Sequence, residues 1–256
     1  MKKQILQTFK LIKQKKWLFV AIMFLQLLFF ASLTVAAFTT LVPFTDKAKN
    51  VFNYINTLRL EGNDLEFGED PLQFYHDYQD AIEYVKVFAI TALIICLLLN
   101  NSIWGLTNHM YKKMKLKEFF KFMMNFIIVK VAGIAILFFL FAQLIKNLLE
   151  TEGIFSNVEF IILAVLITVV LYVVFVFIAS IGKRKIMDIV DKGLKDTIKL
   201  PVFLSMLVNF VLIISAIALF FWLGEYSLIL VSILIIFLIF IFTWTKLFIV
   251  TVSEQV

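Results

Sequence analysis

The sequence has little of what most soluble enzymes and secreted scaffolds contain. Among 256 residues there is one cysteine, Cys96, so no intrachain disulfide can form and redox compartment is not indicated. Charged residues make up 16%, against about 25% in soluble domains. The three prolines, Pro43, Pro71 and Pro201, lie outside or at the edges of the long apolar runs, and only Gly133 is clearly within one. This argues against transporters with discontinuous helices, which usually need Gly or Pro in their spans.

Motifs for catalysis or metal binding are also lacking. Gly182-Lys183 lacks the upstream glycine and the Ser/Thr of a P-loop, and Gly-x-Ser-x-Gly and His-Glu-x-x-His do not occur. The two histidines, His76 and His109, fall in connectors on opposite sides of the predicted membrane, so they cannot share a zinc site within one chain. We therefore expect no enzyme, no catalytic or cofactor-binding residues and no cofactor.

What the sequence does contain is long apolar runs. Hydrophobic residues make up 62% of the chain, against about 45–50% in soluble proteins. Each run is long enough to cross about 30 Å of hydrocarbon as a helix. A 256-residue soluble chain cannot bury six helices that are apolar on all sides. We predict an all-α, six-helix transmembrane bundle forming a single integral membrane domain (1–256). Its spans are 17–41, 85–104, 126–145, 158–181, 202–223 and 227–250.

The charge pattern predicts the orientation. With the N-terminus inside, 19 of the 24 basic residues lie on the inner side, and 13 of the 18 acidic residues lie outside. Since basic residues mark the cytoplasmic side, both termini are predicted to be cytoplasmic. Met1-Lys2-Lys3 before an apolar run also fits a signal peptide, but the run is longer than usual and favours a retained span. The tryptophans are expected at headgroup level: Trp17, Trp104, Trp222 and Trp244.

Each predicted inner segment is basic, amphipathic and followed by an outward span. These segments are 1–16, 105–125 and 182–201. Their apolar residues are predicted to lie in the membrane interface, and the three copies fit a repeated unit of interfacial helix and two spans. Ordinary interfacial anchoring explains the same pattern. The apolar residues are Ile5, Leu6, Phe9 and Ile12; Met110, Met114 and Phe120; and Met187, Val190, Leu194 and Ile198.

The long outer connector, 42–84, is predicted to form a small helical cap. It has helices near Lys47–Leu60 and Leu72–Glu83, with an acidic turn between them. The turn carries four carboxylates that suit a hard cation such as Ca²⁺, but it lacks the EF-hand spacing, and a solvated acidic loop is the favoured interpretation. These residues are Asp64, Glu66, Glu69 and Asp70.

Few polar side chains occur within the runs. Lys130 and Lys246 lie about one turn from the inner ends of their runs, so we expect both to snorkel to the cytoplasmic interface. Three amides, Gln26, Gln143 and Asn209, are expected to form hydrogen bonds between helices.

Two resemblances follow from these segments. The stretch Ile181–Pro201, leading into a span, resembles poorly characterised six-span prokaryotic membrane families, including the membrane region that adjoins glycerophosphodiester phosphodiesterase domains. This resemblance implies the plasma membrane of a prokaryote. Met1–Lys16 and Asn108–Lys121 also resemble the interfacial and coupling helices of exporter-type ABC permeases, which implies an ATPase in a separate chain.

Two functions remain open from the sequence. The first is a non-enzymatic multi-pass membrane protein that acts through lipids or a partner protein. The second is a permease subunit driven by a separate ATPase. The expected partners are a bilayer with anionic headgroups and an unidentified protein. Nucleic acid is not expected, because the lysines lie at the ends of apolar runs and form no groove with aromatic residues.

Overall fold

A computed structural model of the chain describes residues 2–60, 71–150, 157–182, 186–224 and 228–255. The described residues form helices and contain no strand, which confirms the predicted all-α class. By their internal contacts they group into two compact units. One unit comprises Met1–Gln26 and Asn101–Val256, and the other comprises Leu27–Asn100.

The helices follow one another with short breaks. A π-helix, Cys96–Asn100, joins α3 to α4. The α-helices are α1 (Lys2–Gln14), α2 (Lys16–Leu60), α3 (Pro71–Ile95), α4 (Asn101–Tyr111), α5 (Leu116–Glu150), α6 (Asn157–Ser180), α7 (Ile186–Thr197), α8 (Leu200–Gly224) and α9 (Leu228–Gln255).

Five helical segments of the described residues are long and apolar enough to cross a membrane. The predicted run at 158–181 is helical as α6, but the apolar stretch of described residues there is shorter, Val165–Ser180. The described residues therefore support a membrane-embedded helical bundle with at least five candidate spans. The five are Lys16–Tyr54, Leu72–Tyr111, Leu116–Leu137, Leu200–Phe220 and Val231–Gln255.

The predicted separation of the first span from an outer helix is wrong. Helix α2 runs for 45 residues and contains both the predicted span and the helix expected near Lys47–Leu60, with Pro43 inside it. Proline has no N–H to donate to the Thr39 carbonyl, so one backbone hydrogen bond of the helix is absent there. In the preceding turn the Thr40 Oγ1 donates to the Ala36 carbonyl at 2.6 Å. The second outer helix, in contrast, continues into its span as α3, as its position before the second run predicts.

The segment predicted as one amphipathic stretch, 105–125, is divided between two helices. Helix α4 ends at Tyr111, and α5 begins at Leu116 and continues through the predicted third span. Two side chains cap this break. His109 Nδ1 accepts from the Met114 amide at 3.1 Å, and Glu118 accepts from the Lys115 amide at 2.8 Å, half of a capping box. Met110 and Met114 are buried in the protein, so their prediction as interfacial residues is wrong, while Phe120 is exposed.

Glycines allow close packing in the larger unit. A Cβ at Gly133 of α5 would lie 2.6 Å from a Val174 methyl of α6, and one at Gly105 of α4 would lie 2.7 Å from the Phe119 ring of α5. Small residues let helix backbones approach in membranes, where tight packing replaces the hydrophobic driving force. The close packing of α4 on α5 and of α5 on α6 therefore requires glycine at positions 105 and 133.

Aromatic and aliphatic side chains fill the core of this unit. Trp104 is 1% exposed and its ring meets Phe175 edge-on at 5.2 Å, while Trp244 is buried and stacks on Phe248 at 4.9 Å. Trp104 and Trp244 therefore contact protein, whereas Trp17 and Trp222 are exposed, and the headgroup level expected for the four rings stays a prediction. One buried cluster contains Trp104, Met114, Phe122, Phe126, Ile178, Ala179, Ile181, Ile189, Ile249 and Val250, and another contains Val176, Val202, Trp244, Phe248 and Val252.

Helix α1 packs on α9 with the face predicted to enter the membrane interface. Ile5 and Ile12 pack against the Trp244 cluster, and the Phe9 ring lies 6.2 Å from that of Trp244. Lys15, just after α1, donates to the Met110 carbonyl at 2.7 Å. Part of the apolar face of α1 therefore covers protein, while Leu6 and Phe9 are exposed, at 61% and 50%.

In the smaller unit, an ion pair connects α2 and α3. Lys47 Nζ lies 2.6 Å from Asp77 and 2.9 Å from Asp80, and Asn50 donates to Asp77 at 3.0 Å. Rings also meet across the pair, with Tyr54 stacked on Phe74 at 4.7 Å. These contacts make residues 27–60 and 71–100 a helical hairpin.

Candidate membrane-contact site

Helix α7 has two faces with opposite surroundings. The predicted apolar face is exposed: Ile198, which follows the helix, is 86% exposed, Met187 is 76% exposed, and Val190 and Leu194 are exposed between them. The opposite face, at i, i+4 and i+7, is buried and consists of Ile189, Gly193 and Asp196. A short helix whose apolar side faces away from the protein is typical of an element that lies in a membrane interface.

The buried face of α7 packs closely on α6. A Cβ at Gly193 would lie 2.8 Å from the Phe177 ring, so only glycine fits without a shift of that ring. Ile189 is fully buried in the cluster around Trp104 and Phe126. Gly182, which ends the turn after α6, has φ of 44°, a left-handed conformation that glycine adopts readily. These residues fix the position of α7 on the bundle.

Asp196 lies at the centre of this contact. Its Oδ2 accepts hydrogen bonds from Ser180 of α6 and Ser253 of α9, both at 3.1 Å, and its Oδ1 accepts from Lys199 at 2.9 Å. Lys192 Nζ lies 3.5 Å from the same carboxylate and donates to the Ser253 carbonyl at 2.6 Å. The network joins three helices through one buried charge.

The charge on Asp196 is stabilised despite its burial. Burial alone would raise the pKa of this carboxyl, but the hydrogen bonds from Lys199 and Ser253 and the positive charge of Lys192 outweigh it, and the pKa is lowered. A carboxylate with a lowered pKa is a weak base. Since Ser180, Ser253 and Asp196 are also buried, this Ser–Asp–Lys group has the properties of a structural network.

A hydrogen bond from α6 also holds the end of α7. The Tyr172 hydroxyl donates to the Thr197 carbonyl at 2.9 Å, which satisfies one of the free carbonyls of the last turn. The sequence pattern of α7 revealed its apolar face but not this anchoring. The sequence signal for the anchored face is Ile189, Gly193 and Asp196, which recur at helical spacing on the side away from the apolar face.

A second buried polar contact involves Lys246 of α9. The residue is 7% exposed, its Nζ donates to Gln26 Oε1 at 2.6 Å, and it lies 5.8 Å from the Trp104 ring centroid. The prediction that Lys246 snorkels to the interface is wrong, because protein groups solvate its charge. The interhelical bond predicted for Gln26 is confirmed.

The other amides differ from one another. Asn209 of α8 is 3% exposed, and neither polar atom of its side chain has a partner in the part of the chain that the structure describes, so its predicted interhelical bond is wrong. Asn101 donates to the Met123 carbonyl of α5 at 3.3 Å. The Gln143 side chain lies outside the described residues.

The residues considered for metal binding form no common site within the part of the chain that the structure describes. The acidic turn with Asp64, Glu66, Glu69 and Asp70 lies outside the described residues. His76 is exposed on α3, and Cys96 is partly buried in the π-helix. Across residues 2–60, 71–150, 157–182, 186–224 and 228–255, three or more His, Cys, Asp or Glu side chains nowhere form a group suited to a metal.

Comparison with known proteins finds no family model that the chain matches and no similar curated protein or solved structure. The resemblances drawn from the sequence therefore stay predictions, and the functional argument depends on the residues of this chain.

Proposed function

We propose that this chain is a non-enzymatic, multi-pass membrane protein that acts through contacts with anionic lipids at its cytoplasmic face, with α7 as the contact element. In this proposal both termini are cytoplasmic and the bilayer is a prokaryotic plasma membrane. A partner protein that recognises the same face is the other form of this function.

The observation that carries the proposal is the fixed exposure of the apolar side of α7. A mobile amphipathic helix could fold its apolar side back onto the bundle, but α7 is held by its other side through Gly193 and Asp196. Met187, Leu194 and Ile198 therefore stay directed outward. Burying each such side chain in an acyl layer contributes about 1.5–3 kcal/mol.

Charge around α7 favours anionic headgroups. Lys199 and Lys192 lie beside the buried Asp196, and Lys195 pairs with Asp191 at 2.8 Å on the exposed side. The sequence places Lys183, Arg184 and Lys185 just before the helix, in a segment outside the described residues. A basic residue near an anionic surface contributes about 1 kcal/mol.

Spin-label accessibility tests this proposal directly. A Cys96→Ser protein carries one label, at Leu194→Cys or Ile198→Cys, or at Asp188→Cys as the matched control on the exposed polar side of the same helix. The protein is reconstituted in phosphatidylcholine vesicles with and without phosphatidylglycerol. We expect labels at 194 and 198 to collide with oxygen and be protected from a nickel complex, more so with phosphatidylglycerol, while the control label meets nickel.

Nickel accessibility equal to that of the control at both 194 and 198 would contradict lipid contact. Because the vesicles contain no second protein, that outcome would also leave a partner protein as the remaining occupant of the face.

The alternative, a permease subunit, has less support from the described residues. A coupling helix needs a short exposed helix between two spans, whereas only residues 112–115 separate α4 from α5, and Met110 and Met114 on either side of Lys112 and Lys113 are buried. Co-purification of an ATPase whose hydrolysis the chain stimulates is the test that would favour it.

A further inference from the structure

The hairpin formed by residues 27–60 and 71–100 carries an apolar groove between α2 and α3. Its volume is about 380 Å³, and its lining includes Phe44 and Phe52 from α2 and Tyr78, Ile82 and Val85 from α3. Lys86 is the charged residue of the lining. The lining positions recur at helical spacing, so each helix contributes one continuous face.

In the predicted placement most of the groove lies beyond the hydrocarbon, with Val85 and Lys86 at the start of the predicted second span. Thirty residues separate Lys16 from Asp46 on α2, which corresponds to about 45 Å of helix, the full thickness of a bilayer with its headgroups. From this level the groove extends away from the membrane. Phe52, Tyr78 and Ile82 are nevertheless exposed along it, so apolar surface faces the aqueous side.

The volume of the groove indicates what kind of ligand fits it. A pocket of a few hundred Å³ is the size of a small-molecule site. A single acyl chain is narrow enough to lie along the groove between the two helices.

The positive charge of Lys86 favours a ligand whose polar group is an anion. Lys86 has no ion-pair partner in the described part of the chain, in contrast to Lys47, which bonds to Asp77 and Asp80 on the same hairpin. Lys86 lies at the membrane-proximal end of the groove, one residue after the predicted start of the second span. At the other end, Tyr78 continues into an aromatic stack with Phe74, with ring centroids 6.5 Å apart.

We propose that this groove binds a long-chain fatty acid anion taken from the outer leaflet, with its carboxylate at Lys86 and its chain between α2 and α3. The site belongs to the hairpin unit and does not depend on the contact proposed for α7, so either proposal can fail alone.

Photolabelling of the full-length protein tests the site. The protein, in nanodiscs of neutral phosphatidylcholine, is labelled with a diazirine derivative of palmitate, and the labelled peptides are mapped by mass spectrometry. We expect saturable labelling in 44–52 and 78–86 that unlabelled palmitate competes away. Lys86→Gln should weaken competition by palmitate about tenfold, while competition by 1-hexadecanol, which has no charge, stays within about twofold.

Two further variants make the test specific. Ala48→Phe, which fills the groove, should abolish labelling there, while Lys49→Gln, an exposed lysine on the same helix outside the lining, should leave it unchanged. Circular dichroism and gel filtration verify that each variant is folded. Labelling that rises without saturation along all spans, or that Ala48→Phe leaves intact, would overturn the proposal. Crosslinking of a second copy into 44–52 would overturn it in favour of a dimer interface.

Discussion

At the scale of single residues, the buried charges show how this protein solvates polar groups away from water. A lone charge in an apolar interior costs several kcal/mol, so each one needs local partners. Asp196 has two hydroxyls and two lysines, and Lys246 has the Gln26 amide and the face of Trp104. The bonds from Ser180 and Ser253 connect α6, α7 and α9 through one carboxylate, and the bond between Lys246 and Gln26 connects α9 to α2.

Replacing that carboxylate should weaken the bundle. Asp196→Asn keeps the shape but removes the negative partner of Lys192 and Lys199. We expect a loss of about 3 kcal/mol in the free energy of unfolding at pH 7, near the low end for broken buried pairs because both lysines are partly exposed. The measurement is unfolding in detergent followed by tryptophan fluorescence, with Asp191→Asn, an exposed ion-pair residue, as the matched control.

The loss in the free energy of unfolding caused by Asp196→Asn should become smaller as the pH falls. The pKa of Asp196 is lower in the folded protein than in the unfolded chain, so its stabilisation is complete above the unfolded pKa of about 3.9 and is lost as the pH falls through the folded value. The difference between the native protein and Asp196→Asn should therefore shrink below about pH 4. A difference that stays constant from neutral to acidic pH would mean that the charge does not stabilise the fold.

The residues whose predicted surroundings are wrong share one physical reason. Hydropathy shows that Met110 and Met114 avoid water, but it does not distinguish lipid from protein as the covering, because lipid tails are as apolar as leucine. The same ambiguity affects Lys246, whose place near a run end fits both snorkelling and an internal partner. The partners that decide these cases lie far away in sequence.

At the scale of helices, periodicity predicted the elements well and their ends poorly. The apolar face of 187–198 is exposed as expected, and the runs at 202–223 and 227–250 correspond to α8 and α9. Helix ends were misplaced because hydropathy marks where hydrocarbon ends, whereas a helix continues until its hydrogen bonds are capped or interrupted. Thus α2 extends well past its apolar run, while Glu118 and His109 produce a break that the pattern did not show.

Pro43 provides a test at this scale. If α2 is continuous through Pro43, then Pro43→Ala restores a backbone hydrogen bond and removes a steric conflict, and the hairpin should gain stability, by up to about 3 kcal/mol. The gain is measured as a higher midpoint of thermal unfolding. Pro201→Ala, in the first turn of α8 where proline is tolerated, is the control and should change it little. A lower midpoint for Pro43→Ala would indicate that proline ends the helix there.

At the scale of the whole molecule, the direction in which the helices cross the bilayer determines where each proposed contact lies. The placements proposed for α7 and for the hairpin groove both depend on it, since one requires the cytoplasmic interface and the other the outer surface. The lysine distribution predicts one orientation because it is strongly asymmetric, with five of the 24 basic residues on the predicted outer side.

Thiol labelling in intact cells tests this orientation directly. In a Cys96→Ser background, Lys49→Cys on α2 and Lys113→Cys between α4 and α5 are both exposed, so protein burial protects neither. We expect a membrane-impermeant maleimide to label position 49 in whole cells and position 113 only after the cells are permeabilised. The reverse result would invert the protein and place α7 outside, where the cytoplasmic leaflet's anionic lipids could not contact it.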